Sequence, residues 1–460
     1  MKNEMNLNIA YIGGGSRGWA WTLMTDLAKE KALSGTIRLY DIDVPAAEKN
    51  AIIGNRLSRR EDVPGKWKYE VKETIGEALT GADFVIISIL PGTFDEMEVD
   101  VHMPERLGIY QSVGDTTGPG GMIRALRTIP LFIGFAKAVQ EFCPEAWVIN
   151  YTNPMSLCVK TLYEGFPGIK AFGCCHEVFG TQKVLAEIVM RELGEKEVKR
   201  DEIKVNVLGI NHFTWFSHAT YQTVDLFPVY REYVDRHFEE GIEFGEDHWM
   251  NSTFACAHRV KFDLFRRFGL IAAAGDRHLA EFMPGDDYLK DPETVKKWKF
   301  GLTTVDWRRK DLKERLERSE RLASGKEEID LHRETGEEGV IMIKALCGLG
   351  QKIINVNIPN YALQIPNLPI DSIVETNVLL EKDTVRPIYA GVLKEEVKDL
   401  MMPHIENHER IMRVVHGGNH DVDLLCEAFY HDPLTKGRGE REAIRQLVID
   451  MMKATGVNEE

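Results

Sequence analysis

The chain has 460 residues, of which 43% are apolar and 28% charged, an ordinary globular mix long enough for two domains. A formal net charge of −15 excludes broad attraction to nucleic acid or anionic membrane, although a local basic pocket can still take an acidic small molecule. No apolar run is long enough to span a bilayer and the opening MKNEMN lacks a signal-peptide core, so the expectation is a soluble, cytoplasmic protein with no membrane partner.

Residues 1–200 alternate short apolar runs with amphipathic stretches, the pattern of βαβ units and a parallel sheet. Strands are predicted at 7–13, 36–43, 82–90, 146–153 and 169–175, with helices near 18–31, 45–59 and 121–141. Past residue 200 the pattern changes: 203–221 reads as strands in another arrangement, 293–323 as charged helix and 437–456 as a closing amphipathic helix. The stretch INVNIPNYALQIPNLP, 354–369, is rich in asparagine and proline and is predicted to be irregular or edge structure. The expected fold class is α/β, with a doubly wound Rossmann sheet over 1–200 and an α+β domain over 201–460. The latter would carry substrate, metal and oligomer contacts, in an architecture of the lactate/malate dehydrogenase kind.

Gly13, Gly15 and Gly18 fit G-x-G-x-x-G after the first strand and at the start of a helix. Those glycines suit a tight turn, close approach to a pyrophosphate and tight strand–helix packing, and the helix N-terminus turns free N–H groups to the phosphates. Asp41 ends the second strand. A carboxylate there can accept both ribose hydroxyls and would repel a 2′-phosphate, which favours NAD over NADP. Arg17 and Trp19 are open between a cofactor contact and a surface or core role.

The seven cysteines are scattered without a CxxC pair, so neither a disulfide framework nor a structural zinc site is expected. The glycine-rich loop SVGDTTGPGG leads into a helix carrying Arg124, which could close over a ligand; the alternative is a plain connection. NYTNP ends a strand, where doubly wound sheets place ligand contacts, and aims Asn153 at the cleft. Cys175 and His176 end the next strand and His212 lies at a strand end in GINHF. Cys175 with His212, plus a substrate group and an open position, would suit a borderline divalent ion such as Mn²⁺ or Zn²⁺.

Taken in order, GGGSRG, YDID, VGDTTGPGG with RALRTIP, NYTNP, CHEV, GINHF and VNIPNYALQIPNLP resemble the family 4 glycoside hydrolases over most of the chain. That family departs from two-carboxylate glycosidase chemistry by using NAD. The resemblance implies NAD in the Rossmann domain and Mn²⁺, or another divalent cation, on Cys175 and His212. It also implies a route of C3 oxidation, C2 deprotonation, elimination, water addition and re-reduction. AAAGDRHLAEFMP matches the branch whose base is an aspartate, which makes Asp276 the candidate. Phosphoglycoside-cleaving relatives carry an acidic Asp directly after the metal Cys, where this chain has His176. An imidazole can protonate a leaving oxygen near neutral pH; Glu105 is a further carboxylate within possible reach.

CHEV resembles the α-galacturonidase group, whereas Asp or Asn after the Cys marks 6-phosphoglycosides, CHS α-glucosidases and α-galactosidases, and CHG α-glucuronidases. The implied substrate is a small α-galacturonide, with Arg277 and His278 as candidates for its carboxylate and Asn153 and Arg124 beside the sugar. Relatives are mostly dimers or tetramers, so a homo-oligomer is expected. One rival is a metal-free 2-hydroxy-acid dehydrogenase, which would accumulate NADH. Another is an inert NAD-binding sensor, which would exchange no C2 hydrogen.

Overall fold

A computed structural model of the protein describes residues 5–244, 249–250, 252–332, 335–418 and 421–457. Six parallel strands come first: β1 (Met5–Ile12), β2 (Leu33–Tyr40), β3 (Trp67–Val71), β4 (Phe84–Ile87), β5 (Trp147–Asn150) and β6 (Lys170–Gly173). Their spatial order is β6-β5-β4-β1-β2-β3, the Rossmann order, with its switch point between β1 and β4. The central strands are apolar on both sides because both faces are covered. Ile9, Tyr11 and Ile86 feed one core, while Ala10, Ile12, Val85 and Ile87 feed the other.

The second half builds β7 (Ile203–Ile210), β8 (Phe213–Tyr221), β9 (Val224–Asp225) and β10 (Ile271–Ala272) into a small antiparallel sheet. It then returns to the first sheet. Strands β11 (Lys352–Pro359), β12 (Ile373–Glu381) and β13 (Thr384–Pro387) extend it antiparallel beyond β6, giving nine strands. Residue 200 therefore marks where parallel winding stops, not where the sheet stops. Asn377 of β12 donates to the Val205 carbonyl of β7 at 2.7 Å and ties the two sheets together.

Two sequence expectations change. Trp67–Val71 was not predicted as a strand, yet it forms the parallel edge beyond β2. Of 354–369, residues 354–359 are neither irregular nor edge, lying between β6 and β12 and buried throughout, whereas 360–369 is irregular as expected. Pro359 is tolerated because it ends the strand, and the Asn355 and Asn357 Nδ2 groups donate to Glu375 Oε1 and Met155 Sδ.

Candidate active site

β1 runs into the turn at Gly13, whose φ of +91° puts it in the left-handed region. A Cβ there would lie 2.0 Å from the Ser88 carbonyl oxygen, so the turn requires glycine. Gly15 donates its N–H to Asp41 Oδ2 at 2.8 Å, and Asp41 Oδ1 accepts from Asp43 N at 2.9 Å, which fixes the carboxylate at the end of β2. Gly18 caps the helix Trp19–Lys29 without a side-chain hydrogen bond. No cap side chain therefore takes its first-turn N–H groups, which leaves them as donors for a pyrophosphate. Arg17 pairs with Asp43 at 3.0 Å. Trp19 packs against Tyr151 and His176, with ring centroids 5.4 and 5.8 Å away.

Across the same edge of the sheet lies a part-buried polar cluster. Asp115 comes from the loop before the helix Gly118–Phe142, His212 from the β7–β8 turn and His278 from the helix Asp276–Glu281. Their ligand atoms lie within 4.8 Å of one another, and the two imidazoles sit 3.8 Å apart by ring centroid. Thr116 Oγ1 donates to Asp115 at 2.8 Å, so at 2.9 Å it accepts from His212 Nδ1–H. That leaves His212 Nε2 with a lone pair. Burial, reinforced by the His278 charge, pushes His212 down to about 3, so both its lone pair and its neutrality suit a cation.

Glu177 joins the cluster from the helix Glu177–Leu193. Its Oε2 accepts from Gly275 N at 2.7 Å, and its Oε1 lies 3.7 Å from His278 Nε2 and 3.8 Å from His176 Nε2. Burial pushes both Asp115 and Glu177 up, yet both end well below the usual carboxylate range. Arg124, His278 and Arg308 hold Asp115 down, and the His278, His176 and His212 imidazoles hold Glu177 down. Cys175 follows β6, buried; burial and the nearby Glu375 and Glu177 carboxylates raise its thiol well above the ordinary value. The Glu177 backbone N–H and the nearby Asn211 amide, next to His212, pull the other way, and a bound cation would favour the thiolate further.

A family described as Family 4 glycosyl hydrolase matches residues 8–191, and its C-terminal domain matches 207–435. The chain is a family 4 glycosyl hydrolase. It is 64% identical over 450 residues, 98% of this chain and 96% of the other, to a protein of Lachnoclostridium phytofermentans named Alpha-galacturonidase. A Bacillus subtilis Alpha-galacturonidase is 51% identical over 97% of each chain, whereas an Alpha-galactosidase of the same organism is 27% identical over 97% and 98%. A crystal structure of Bacillus subtilis lplD, provisionally named a glucosidase, superposes with a TM-score of 0.91 at 51% identity, covering 97% and 99% of the chains. A gut-microbial 6-phospho-alpha-glucosidase in complex with NAD and Mn²⁺ shares the fold at 19% identity, with TM-score 0.76 over 98% of each chain. Cryptosporidium parvum malate dehydrogenase shares it more distantly, at TM-score 0.51 and 16% identity over 90% of this chain and 100% of that one.

In this family 4 enzyme the predicted site residues fall into neighbouring groups. Arg124 Nε donates to the Asn153 carbonyl at 3.2 Å, and Asn153 Nδ2 reaches Asp115 Oδ1 at 3.5 Å. Asn153 Oδ1 and His278 Nδ1 are buried without partners, two polar atoms that a sugar or cofactor could satisfy. Arg277 bonds Thr303 Oγ1 and lies 4.7 Å over the Phe254 ring. Half-exposed His176 has Nδ1 3.3 Å from Glu337. Asp276 is fully buried but turns away from His278, because residues two apart on a helix do not share a face. Its carboxylate accepts from Val260 N and Lys261 N at 3.1 and 3.2 Å, beside Cys256 and His258. Burial pushes it up to about 6. Glu105 is part-exposed and pairs with His102 at 2.8 Å. The sequence reading passed over Asp115, Glu177, Glu281 and Arg308. The first three lay inside motifs it quoted, as carboxylates in VGDTTG, CHEV and GDRHLAEF. Arg308 carried no such signal; it donates to the Val113 carbonyl at 3.0 Å.

Proposed function

We propose that this family 4 enzyme releases galacturonic acid from small α-galacturonides, with NAD⁺ and a divalent cation, Mn²⁺ foremost, bound during turnover. The observation that carries the reading is an Asp–Glu–His–His cluster, its two imidazoles buried and its carboxylates part-buried, with a thiol at the sheet edge that holds the dinucleotide turn. When bound, the cofactor and cation together make a sugar C2–H acidic by transient oxidation at C3.

The chain's own residues do the rest. Gly13, Gly15, Gly18 and Asp41 seat the dinucleotide, with Asn153 beside it, and Cys175 and His212 hold the cation. Asp276, raised to about 6, is tuned to take a proton near neutral pH. His176, half-exposed and flanked by Glu177 and Glu337, is placed to give a proton to the departing oxygen. Arg277 and His278 take the uronate carboxylate, while Asn153 and Arg124 line the sugar. The closeness of Asp115, His212 and His278 favours a second donor set for the cation; metal titration of Cys175→Ser against Asp115→Asn separates the two.

A cytoplasmic homo-oligomer completes the reading. All seven cysteines are unpaired, in keeping with a reducing compartment, and among the described residues no helix is long and apolar enough to cross a membrane. The test is a panel of p-nitrophenyl α-galacturonide, α-glucuronide and α-galactoside with NAD⁺, Mn²⁺ and reductant. Turnover of the galacturonide is expected; turnover of the neutral galactoside alone overturns the uronide assignment.

A further inference from the structure

The asparagine-rich strand β11 has a use that the reaction above leaves unassigned. Asn355 and Asn357 lie on one face of it, and Asn355 reaches Glu375 of β12, the register partner of Asn357. Asn355 Nδ2 donates to Glu375 Oε1 at 2.7 Å, and from the other side Asn211 Nδ2 donates to Glu375 Oε2 at 3.3 Å. Glu375 is 1% exposed and its hydrogen-bond partners are the neutral amides of Asn355 and Asn211. A carboxylate buried among amides is costly, and an amide of the same shape would serve packing alone at less expense. The cost has a direction. The Asn211 that bonds Glu375 directly precedes His212, and its amide stands near the Cys175 thiol. On the far side of β11, Asn357 pairs with Gly173, two residues before Cys175; a Cβ on Gly173 would come within 3.1 Å of the Asn357 Cβ.

We infer that Glu375, acting through Asn211, is a positioning residue that orients the Cys175 sulfur and the His212 turn for the divalent cation. Carboxylates and amides one bond removed from a metal ligand set its orientation and basicity, and losing one costs about 10–100-fold in affinity. The three antiparallel strands of the second half thereby reach the metal end of β6 without supplying a ligand themselves. This rests on the reading that Cys175 holds the cation.

The test uses the full chain loaded with NAD⁺ and titrated with Mn²⁺, and with Co²⁺ for its thiolate charge-transfer band. Glu375→Gln and Asn211→Ala are expected to weaken both metals about 10–100-fold and to diminish or shift the band, with NAD⁺ affinity unchanged. Wild-type metal affinity and band in a folded Glu375→Gln protein overturn the inference; if that variant does not fold, Asn211→Ala decides by the same readouts. Cys175→Ser tests the reading beneath. Loss of the cobalt band there upholds it, whereas wild-type metal affinity in Cys175→Ser overturns that reading and the inference with it.

Discussion

Between Gly13 and Asp41 the dinucleotide seat completes itself from one strand, one turn, one helix and the end of the next strand. The polar cluster a short way along the same sheet edge draws Asp115, Glu177, His212 and His278 from four segments spread over more than a third of the chain. The seat works through backbone: a positive φ, free N–H groups and one carboxylate. The cluster works through side chains that lose solvation on burial and recover it from one another, which is why its carboxylates end far below and His212 far below their ordinary values. Local conformation builds the first and tertiary packing the second. Substitutions in the cluster should therefore spread, and those in the seat should stay local.

The largest expected effect is at Asp276, which turns away from the cluster's His278 and anchors the start of the helix Arg259–Phe268. As the proposed base, Asp276→Asn should lower kcat about 10²–10⁴-fold and abolish exchange of the C2 hydrogen with D₂O. The helix N–H groups keep an acceptor, so folding is expected to survive. Undiminished exchange in a folded variant would assign Asp276 to capping alone and move the base into the cluster. Next is Asp41→Ala in the seat. Losing hydrogen bonds to a charged acceptor removes about 1.5–3 kcal/mol each, so NAD⁺ affinity should fall about 10–100-fold and discrimination against NADP⁺ should relax. Mn²⁺ affinity measured without dinucleotide should not move; if it does, the two regions are not separable.

This contrast explains what could be read from sequence. G-x-G-x-x-G followed by YDID announces a turn and an acid because each glycine answers a local demand, and the Rossmann strand order follows from alternating elements. Glu177 and Asp115 were in view as letters, but nothing local says that Glu177 will meet three imidazoles or that Thr116 will set the His212 tautomer. The stretch 354–359 misled for the same reason. Its asparagines and Pro359 read as irregular or edge structure until β12 and the Glu375 carboxylate provide partners from elsewhere in the chain. Trp67–Val71 is a short edge strand, and its pairing with β2 decides its structure more than its own pattern does.

A smaller effect, confined to pH, is expected at Glu281. Its Oε1 accepts from Val113 N and Gly114 N at 2.7 and 2.8 Å and so holds the loop that carries Asp115. Burial outweighs those donors and raises its carboxyl from 4.5 to about 8. Between those values the folded protein keeps a proton that the unfolded chain has released, so the group's contribution to stability falls as pH rises through that window. Glu281→Gln cannot titrate and keeps an acceptor for the loop. Its Tm relative to the parent should climb from about pH 5 to about pH 8; parallel Tm curves would show that Glu281 is ionised throughout.

The smallest effect belongs to the seat. Arg17 is committed to Asp43 at 3.0 Å, and Asp43 is half exposed. A pair of that kind contributes about 0–1 kcal/mol, so Arg17→Ala should shift Tm by no more than a few degrees. Because the guanidinium is spent on Asp43 rather than turned toward the free helix N–H groups, NAD⁺ affinity should be unchanged. A tenfold loss, about 1.4 kcal/mol, would mean that the dinucleotide draws Arg17 away from Asp43, and that the seat uses a side chain where its construction otherwise relies on backbone and Asp41.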